Sequence, residues 1–292
     1  MNKIDICKKT RSFASQALAS CLRSLLFTGQ KLSEKQFADT WLEELRKNTA
    51  IFPDGWYTPP PHGICVLFGS TERDSRHNYQ TLRSEDMWPK GDVYLNRQNG
   101  ISYLFASPVD RKSGIIGDFG LTVYFGNDSI VKQHLITCLS INRLIFEYID
   151  IGKKFSEVYS YAEKIISEHG LKNGVVSTTD PAGKNFGHTV PAIYFEWTSR
   201  EQSILDNAES DWDTFKNMIN KKRVFVNPIE ETTYKPGMAI TLEPRLIVPD
   251  NPHIPMGSFH TIVTIHKDGK KELLTNFDEV FRTAGMDFML NL

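Results

Sequence analysis

Three polar residues far apart in the chain, Asp118, His188 and Glu243, stand in local settings that would expose them to a ligand. Asp118 opens an apolar run typical of a strand, His188 follows a glycine, and Glu243 ends a stretch rich in β-branched residues. Two carboxylates and one imidazole can hold a divalent ion and leave a position open for water, which is the usual plan of a hydrolytic metal site. Taken singly, the three are more typical of a turn aspartate, a hydrogen-bonded histidine and a strand-end glutamate.

The elements that must position these residues alternate between helices and strands. Helical spacing of apolar residues predicts helices over residues 9–28, 34–47, 128–152 and 156–169, and a more polar helix over 203–221. Runs of β-branched and aromatic residues predict strands over residues 64–68, 93–95, 101–105, 119–125, 224–226, 239–242 and 260–265. The order of helices, sheet, helices and sheet predicts an α+β domain made of two similar halves.

The composition is that of an ordinary globular protein. Of 292 residues, 40% are hydrophobic and 24% are charged, and 34 basic against 35 acidic side chains give a net charge of −1. This balance gives no electrostatic reason to expect a nucleic acid or an anionic membrane as the partner. The charged N-terminus lacks the apolar core of a signal peptide, no run of about 20 apolar residues follows, and four scattered cysteines form no paired motif. The sequence predicts a cytoplasmic protein with reduced thiols.

The surroundings of the three polar residues follow a pattern. It consists of Gly114, Asp118 and Gly126, the pair Gly187-His188, and Gly237-Met238 followed by Glu243-Pro244. This pattern resembles the superfamily of methionine aminopeptidase, Xaa-Pro peptidase and creatinase, whose fold is called pita-bread. The resemblance implies one α+β pita-bread domain over residues 1–292, with halves of about 1–150 and 151–292 around a curved antiparallel sheet and no separate creatinase-type N-terminal domain.

The resemblance implies five metal ligands, and the sequence departs from that set. The first aspartate falls on Ser107, or on Phe105 in a second alignment, and Asp110 would lie on the opposite face of a strand from Ser107. The last, bridging glutamate falls on Phe259, and a second catalytic histidine falls on Phe195. The three retained ligands are those of the tighter of the two metals, so we expect one ion at most and not a dinuclear site.

Further residues are candidates for the substrate cleft. By resemblance, the histidine that contacts substrate corresponds best to His77, with His62 a weaker candidate. Phe195 and Phe259 would line an apolar pocket of the kind found at ligand sites, and Trp197 lies close to His188 in sequence.

The resemblance implies a metallopeptidase-like hydrolase of the aminopeptidase or Xaa-Pro peptidase type that uses one divalent transition metal, Mn, Fe, Co or Zn. Glu243 would also take the proton from the attacking water. The substrate would be a peptide or a small amide with a free amino end, and a homodimer is compatible with this hypothesis. Two alternatives stay open: a metal-free pita-bread protein that binds such a ligand without cleaving it, and a mononuclear iron enzyme with non-peptidase chemistry.

Overall fold

A computed structural model describes residues 2–26, 29–69, 81–177 and 179–290 of the chain. Within these ranges the helices are α1 (Lys3–Leu26), α2 (Glu34–Arg46), α3 (Ser129–Tyr148), α4 (Phe155–Glu168), α5 (Pro191–Tyr194), α6 (Ser199–Asp206), α7 (Trp212–Lys222) and α8 (Asp278–Ala284). The strands are β1 (Ile64–Gly69), β2 (Ile101–Ala106), β3 (Phe119–Tyr124), β4 (Lys172–Asn173), β5 (Met238–Leu242), β6 (Arg245–Ile247), β7 (Gly257–Ile265) and β8 (Lys271–Leu274).

Most predicted elements are present, and their differences from the prediction have local causes. Helix α1 begins about six residues earlier than its apolar spacing indicates, because the side chain of Asn2 accepts a hydrogen bond from the backbone N–H of Asp5 and caps the helix. The polar helix predicted over residues 203–221 is instead two helices. Asn207 ends α6, and the carboxylate of Asp211 accepts a hydrogen bond from the backbone N–H of Thr214 to start α7.

Two predicted strands are reduced to single bridges. In the segment 93–95, Tyr94 pairs only with Ser33, because this segment runs beside the loop that begins α2 and not beside a strand. In the segment 224–226, Phe225 pairs only with His188. The second of these bridges matters for the site, since it fixes the backbone on which His188 stands.

The strands form one antiparallel sheet with β7 at its centre. The order is β1-β2-β3-β7-β6-β4, and β5 and β8 also pair with β7. The register places Gly120 of β3 opposite His260 of β7, and Leu242 of β5 opposite Thr261 of β7. Strand β7 thereby pairs both with β3, which follows the first pair of helices, and with β5, which follows the second pair.

Helices cover one face of this sheet and bury the main core. Helices α1 and α8 contact β3, α2 contacts β1, α3 contacts β7, and α4 packs on α3. In chain order, a helix pair precedes β1–β3 and a second pair precedes β4–β8, which is the repeated order that the sequence predicts. No helix in the described ranges is long and apolar enough to span a bilayer. The opposite face of the sheet, where α5 packs on β5, carries the polar side chains described next.

Candidate active site

Asp118 lies immediately before β3 and is buried at the base of a cleft. Its side chain is 2% exposed, and its Oδ1 accepts a hydrogen bond of 2.7 Å from the indole Nε1 of Trp56. Burial raises the pKa of Asp118 to about 7; the nearby Glu243 carboxylate adds to this rise, and the Trp56 hydrogen bond opposes it. The second oxygen, Oδ2, is 3.8 Å from Nε2 of His188.

His188 is held by a backbone conformation that only glycine supports. Gly187 before it has a φ of +148°, and a Cβ there would lie 1.9 Å from the carbonyl oxygen of Thr241. The backbone N–H of His188 donates to Oγ1 of Thr241, and its Nδ1 lies 2.9 Å from the carbonyl oxygen of Thr189. Because a carbonyl only accepts, Nδ1 carries the proton and Nε2 presents its lone pair to the carboxylates.

Glu243 follows β5 and is the accessible member of the group. Its side chain is 22% exposed, and its Oε1 lies 3.8 Å from Nε2 of His188. Burial raises the pKa of Glu243 to about 7, although Arg223 and Arg245 oppose this rise. Glu243 is therefore a buried carboxyl group with one side open to the cleft.

His260 completes the group, and the motif comparison did not identify it as a site residue. The β5–β7 register continues from the pair Leu242–Thr261 to place His260 opposite Glu243, and their Nε2 and Oε2 atoms lie 3.3 Å apart. The hydroxyl of Tyr103 is 3.0 Å from the same nitrogen. Burial lowers the pKa of His260 to about 3, with Arg11 and Arg245 lowering it further, so the imidazole is neutral at physiological pH.

Phe259 occupies the opposite face of β7, away from the cleft. It is 1% exposed, and its ring lies 5.8 Å from that of Phe277 and 6.2 Å from that of Phe281. Successive residues of a strand point to opposite faces, so placing residue 259 in the core directs residue 260 to the site. The structure therefore differs from the expectation that Phe259 replaces the bridging ligand and lines the pocket.

The other predicted pocket residues also lie elsewhere. The ring of Phe195 packs against Tyr194 and Lys222, and the indole of Trp197 donates to the carbonyl oxygen of Ser113. His62 is a half-exposed residue whose Nδ1 lies 3.1 Å from a carboxylate oxygen of Asp54. None of these three is among the described residues that line the cleft. His77 lies outside the described residues.

The position expected for the first aspartate offers no free ligand. Ser107 lies one step beyond the last β2–β3 pair, opposite Asp118, and its Oγ accepts from the backbone N–H of Tyr57 and donates to the carbonyl oxygen of Gly63. Phe105 lines the cleft beside His260. The carboxylate of Asp110 is occupied by the backbone N–H and the hydroxyl of Ser113.

The donor chemistry of the four residues fits a divalent transition-metal ion. Two carboxylates and two imidazoles suit Mn, Fe, Co or Zn. A bridging carboxylate offers two oxygens, whereas Nε2 of an imidazole has one lone pair and binds one ion, so His260 cannot replace a bridging glutamate.

The distances between these donor atoms are slightly longer than those in a site that holds a metal ion. The two distances of 3.8 Å to His188 Nε2 compare with roughly 3.3–3.6 Å between ligands that hold one tetrahedral ion at about 2.0–2.2 Å. As the side chains stand, no group of three or more His, Cys, Asp or Glu in the described ranges meets the distances of a metal site. The difference at His188 is a few tenths of an ångström.

The four side chains line a cleft of about 670 Å³, open solvent included. Aromatic and basic residues form much of its wall: Trp56, Tyr57, Tyr103, Phe105, Phe225, Arg83, Arg223 and Arg245.

Comparisons with solved structures show which proteins share this fold. The structure resembles a prolidase from Pyrococcus horikoshii OT3 (TM-score 0.60, 16% identity, 94% of this chain and 61% of that chain). It also resembles an X-Pro aminopeptidase from Thermotoga maritima MSB8 (0.60, 12%, 94% and 60%) and a methionine aminopeptidase from Rickettsia prowazekii (0.61, 14%, 94% and 96%). The chain thus spans about three-fifths of the prolidase and of the X-Pro aminopeptidase and nearly all of the methionine aminopeptidase.

At these identities the structural likeness shows a shared fold, and the predicted α+β pita-bread fold is confirmed. A search of curated proteins found no match. The family model of Metallopeptidase family M24 matches residues 14–267, which include all four site residues. The chain therefore belongs to metallopeptidase family M24.

Proposed function

We propose that this protein is a hydrolase of peptide or other amide bonds that works with one divalent transition-metal ion, Mn, Fe, Co or Zn. The ion would be held by Asp118, His188, Glu243 and His260. The observation that carries the proposal is the convergence of two carboxylates and two neutral imidazoles at the base of one cleft. Membership of a metallopeptidase family supports it.

The solvent exposure of each site residue indicates its role in the reaction. A bound ion of this type supplies Lewis-acid polarisation and a water of lowered pKa. Glu243 faces the cleft and accepts the proton of the attacking water, whereas Asp118 and His188, each 2% exposed, are held away from solvent. The indole of Trp56 fixes the orientation of the Asp118 carboxylate. Excluding bulk water from the bottom of the cleft strengthens the interactions between charged groups there.

Exchanging Glu243 for glutamine tests the assigned proton transfer. Glu243→Gln keeps the side-chain shape and an oxygen that can still bind the ion but removes the base, so we expect kcat to fall by about 100- to 10,000-fold in protein whose metal content matches that of the wild type. The measurement is amine release from a panel of dipeptides and amino-acid amides by metal-loaded protein. Glu279→Gln, which changes a half-exposed glutamate on α8, is the matched control and should keep full activity. Absence of hydrolysis by the wild type with all four metals, or full activity in Glu243→Gln, would contradict the proposal.

A mononuclear iron enzyme is the second candidate, and His260 is the observation that favours it. Together with His188 and one carboxylate, it supplies the two-histidine, one-carboxylate ligand set of non-haem iron oxygenases. Oxygen uptake by Fe(II)-loaded protein in the presence of the same panel, without amine release, would select this chemistry. Ligand binding with neither reaction and no metal uptake would select a metal-free binding protein.

Metal affinity should depend on pH through the two carboxyl groups. Asp118 and Glu243, each with a pKa of about 7, hold protons below that pH, and an ion must displace those protons to bind. His188 and His260 have lowered pKa values and do not compete. The apparent affinity should therefore fall by about 10- to 100-fold per pH unit below pH 7 and level off above it. Competition with a fluorescent chelator from pH 5.5 to 8.5, about the range where the groups titrate, measures this; a constant affinity would contradict it.

A further inference from the structure

Two arginines on the cleft wall converge on one amide oxygen. Nη2 of Arg83 and Nη2 of Arg223 both donate to Oδ1 of Asn220, over 3.3 and 3.0 Å. Arg223 directly follows α7, while Arg83 reaches the same point from the segment before β2. Two positive groups that share one acceptor repel each other, and only an additional favourable interaction offsets that cost.

Within the described ranges neither arginine forms an ion pair, and the carboxylates of Glu243 and Asp118 act on Arg223 from beyond ion-pair distance. Arg83 also donates to the carbonyl oxygen of Thr58, and Arg223 to the hydroxyl of Thr179. Among the described residues, no carboxylate lies within ion-pair distance of either guanidinium. The buried Nε of Arg223 has no hydrogen-bond partner there at all. Their interactions thus leave donors and positive charge available to a ligand.

Aromatic rings hold both groups in place. The guanidinium of Arg83 lies 4.3 Å from the ring centre of Tyr57, and that of Arg223 lies 4.9 and 4.8 Å from the rings of Trp56 and Phe225. Guanidinium groups fixed in this way lose little conformational entropy when they bind a planar anion.

Trp56 contacts both this arginine pair and the proposed metal site. Its ring lies against Arg223 and its Nε1 donates to Asp118. A ligand bound to Arg83 and Arg223 would therefore lie within one indole width of Asp118. Arg83, Arg223 and Asp118 all line this one cleft.

We propose that Arg83 and Arg223 bind an oxyanion of the substrate, a carboxylate or a phosphate, and that the substrate is a small anionic amide. This inference deepens the proposed hydrolase and takes from it only the location of the scissile bond. The forked guanidinium matches both oxyanions, so the shared chemistry defines the substrate class.

Calorimetric titration of the full-length chain, stripped of metal by dialysis, tests the anion site separately from catalysis. The probes are alanyl-alanine, its C-terminal amide and inorganic phosphate. We expect an oxyanion probe to bind at least about 10-fold more tightly than the amide, and Arg83→Gln and Arg223→Gln each to weaken it by about 10- to 100-fold. Arg282→Gln, which changes an exposed arginine on α8, should leave the affinity unchanged. The preferred oxyanion identifies the group as carboxylate or phosphate.

Several results would overturn the inference: no oxyanion binding, an affinity for the amide equal to that for both oxyanion probes, or unchanged affinity in both glutamine variants. Circular dichroism checks that the variants fold, and Arg83→Lys and Arg223→Lys, which keep the charge, should bind with intermediate affinity if a glutamine variant does not fold. Repeating the titration with metal separates the two proposals. Oxyanion binding without metal uptake would remove the hydrolase and retain the anion site, and metal uptake without oxyanion binding would do the reverse.

Discussion

Replacement of His260 by alanine is expected to weaken metal binding by more than about 100-fold, because even residues behind metal ligands are worth about 10- to 100-fold in affinity. The imidazole Nε2 of His260 lies 3.3 Å from Glu243 and faces the cleft. Competition with a chelator measures the loss. The fold should persist, since His260→Ala removes a side chain that lines the cleft and not one that belongs to the main core.

The adjacent variant Phe259→Ala is the matched control, and we expect it to lower the stability of the fold while keeping the metal affinity. Phe259 packs against Phe277 and Phe281 in the core, and a buried phenylalanine-to-alanine change costs about 3–5 kcal/mol of unfolding free energy. Its metal affinity should stay within a few-fold of wild type. Metal affinity lost in Phe259→Ala and kept in His260→Ala would show that the strand register at residues 259 and 260 is the reverse of the one described.

Replacement of Arg11 by methionine is expected to reduce the free energy of unfolding by about 3–5 kcal/mol. Arg11 is fully buried on α1, between the rings of Phe119 and Phe277. Its guanidinium donates to three backbone carbonyl oxygens, those of Asp118, His260 and Thr275. Methionine fills similar space but leaves these buried acceptors unsatisfied, and each costs about 1–3 kcal/mol.

Urea unfolding measures this effect, and Arg23→Met on the same helix is its control. Arg23 is 51% exposed and pairs with Glu279 at the surface, so its replacement should change the unfolding free energy by less than about 1 kcal/mol. Equal losses in the two variants would contradict a special role for Arg11. Burial lowers the pKa of Arg11 to about 9, so the group remains charged at neutral pH.

The local elements and three site residues could be predicted from sequence because their signals are local. Helical spacing, β-branched runs and the segments around Asp118, His188 and Glu243 each occupy a short stretch of chain. The structure brings these three side chains to one cleft, with His188 within 3.8 Å of both carboxylates. Family membership and fold follow from the same signals and are confirmed.

His260 could not be identified in this way because strand register is set between distant segments. Matching the segment 259–263 to the family motif selects Phe259, whereas pairing with β5 places residue 260 opposite Glu243. Alternation along the strand says only that one of two neighbouring residues faces the site. The sequence indicates His260 only through its polar imidazole, in a strand whose other residues are apolar or carry a hydroxyl group.

Arg11, Arg83 and Arg223 were missed for a related reason. In sequence, Arg11 is one of several basic residues at the start of an amphipathic helix, and Arg223 ends a short basic run typical of a solvated surface. Only the tertiary fold buries Arg11 beneath the strands of the site and turns Arg223 toward Trp56. Long-range packing therefore decides the role of each arginine.

Metal stoichiometry tests the central claim most directly. The protein is purified without chelator, incubated separately with Mn, Fe, Co and Zn, desalted and analysed by mass spectrometry of the bound element. The proposal predicts one equivalent per chain for at least one metal, and loss of that equivalent in His188→Ala, whose Nε2 faces both carboxylates. No bound metal in any of the four samples, or two equivalents per chain, would contradict a mononuclear site.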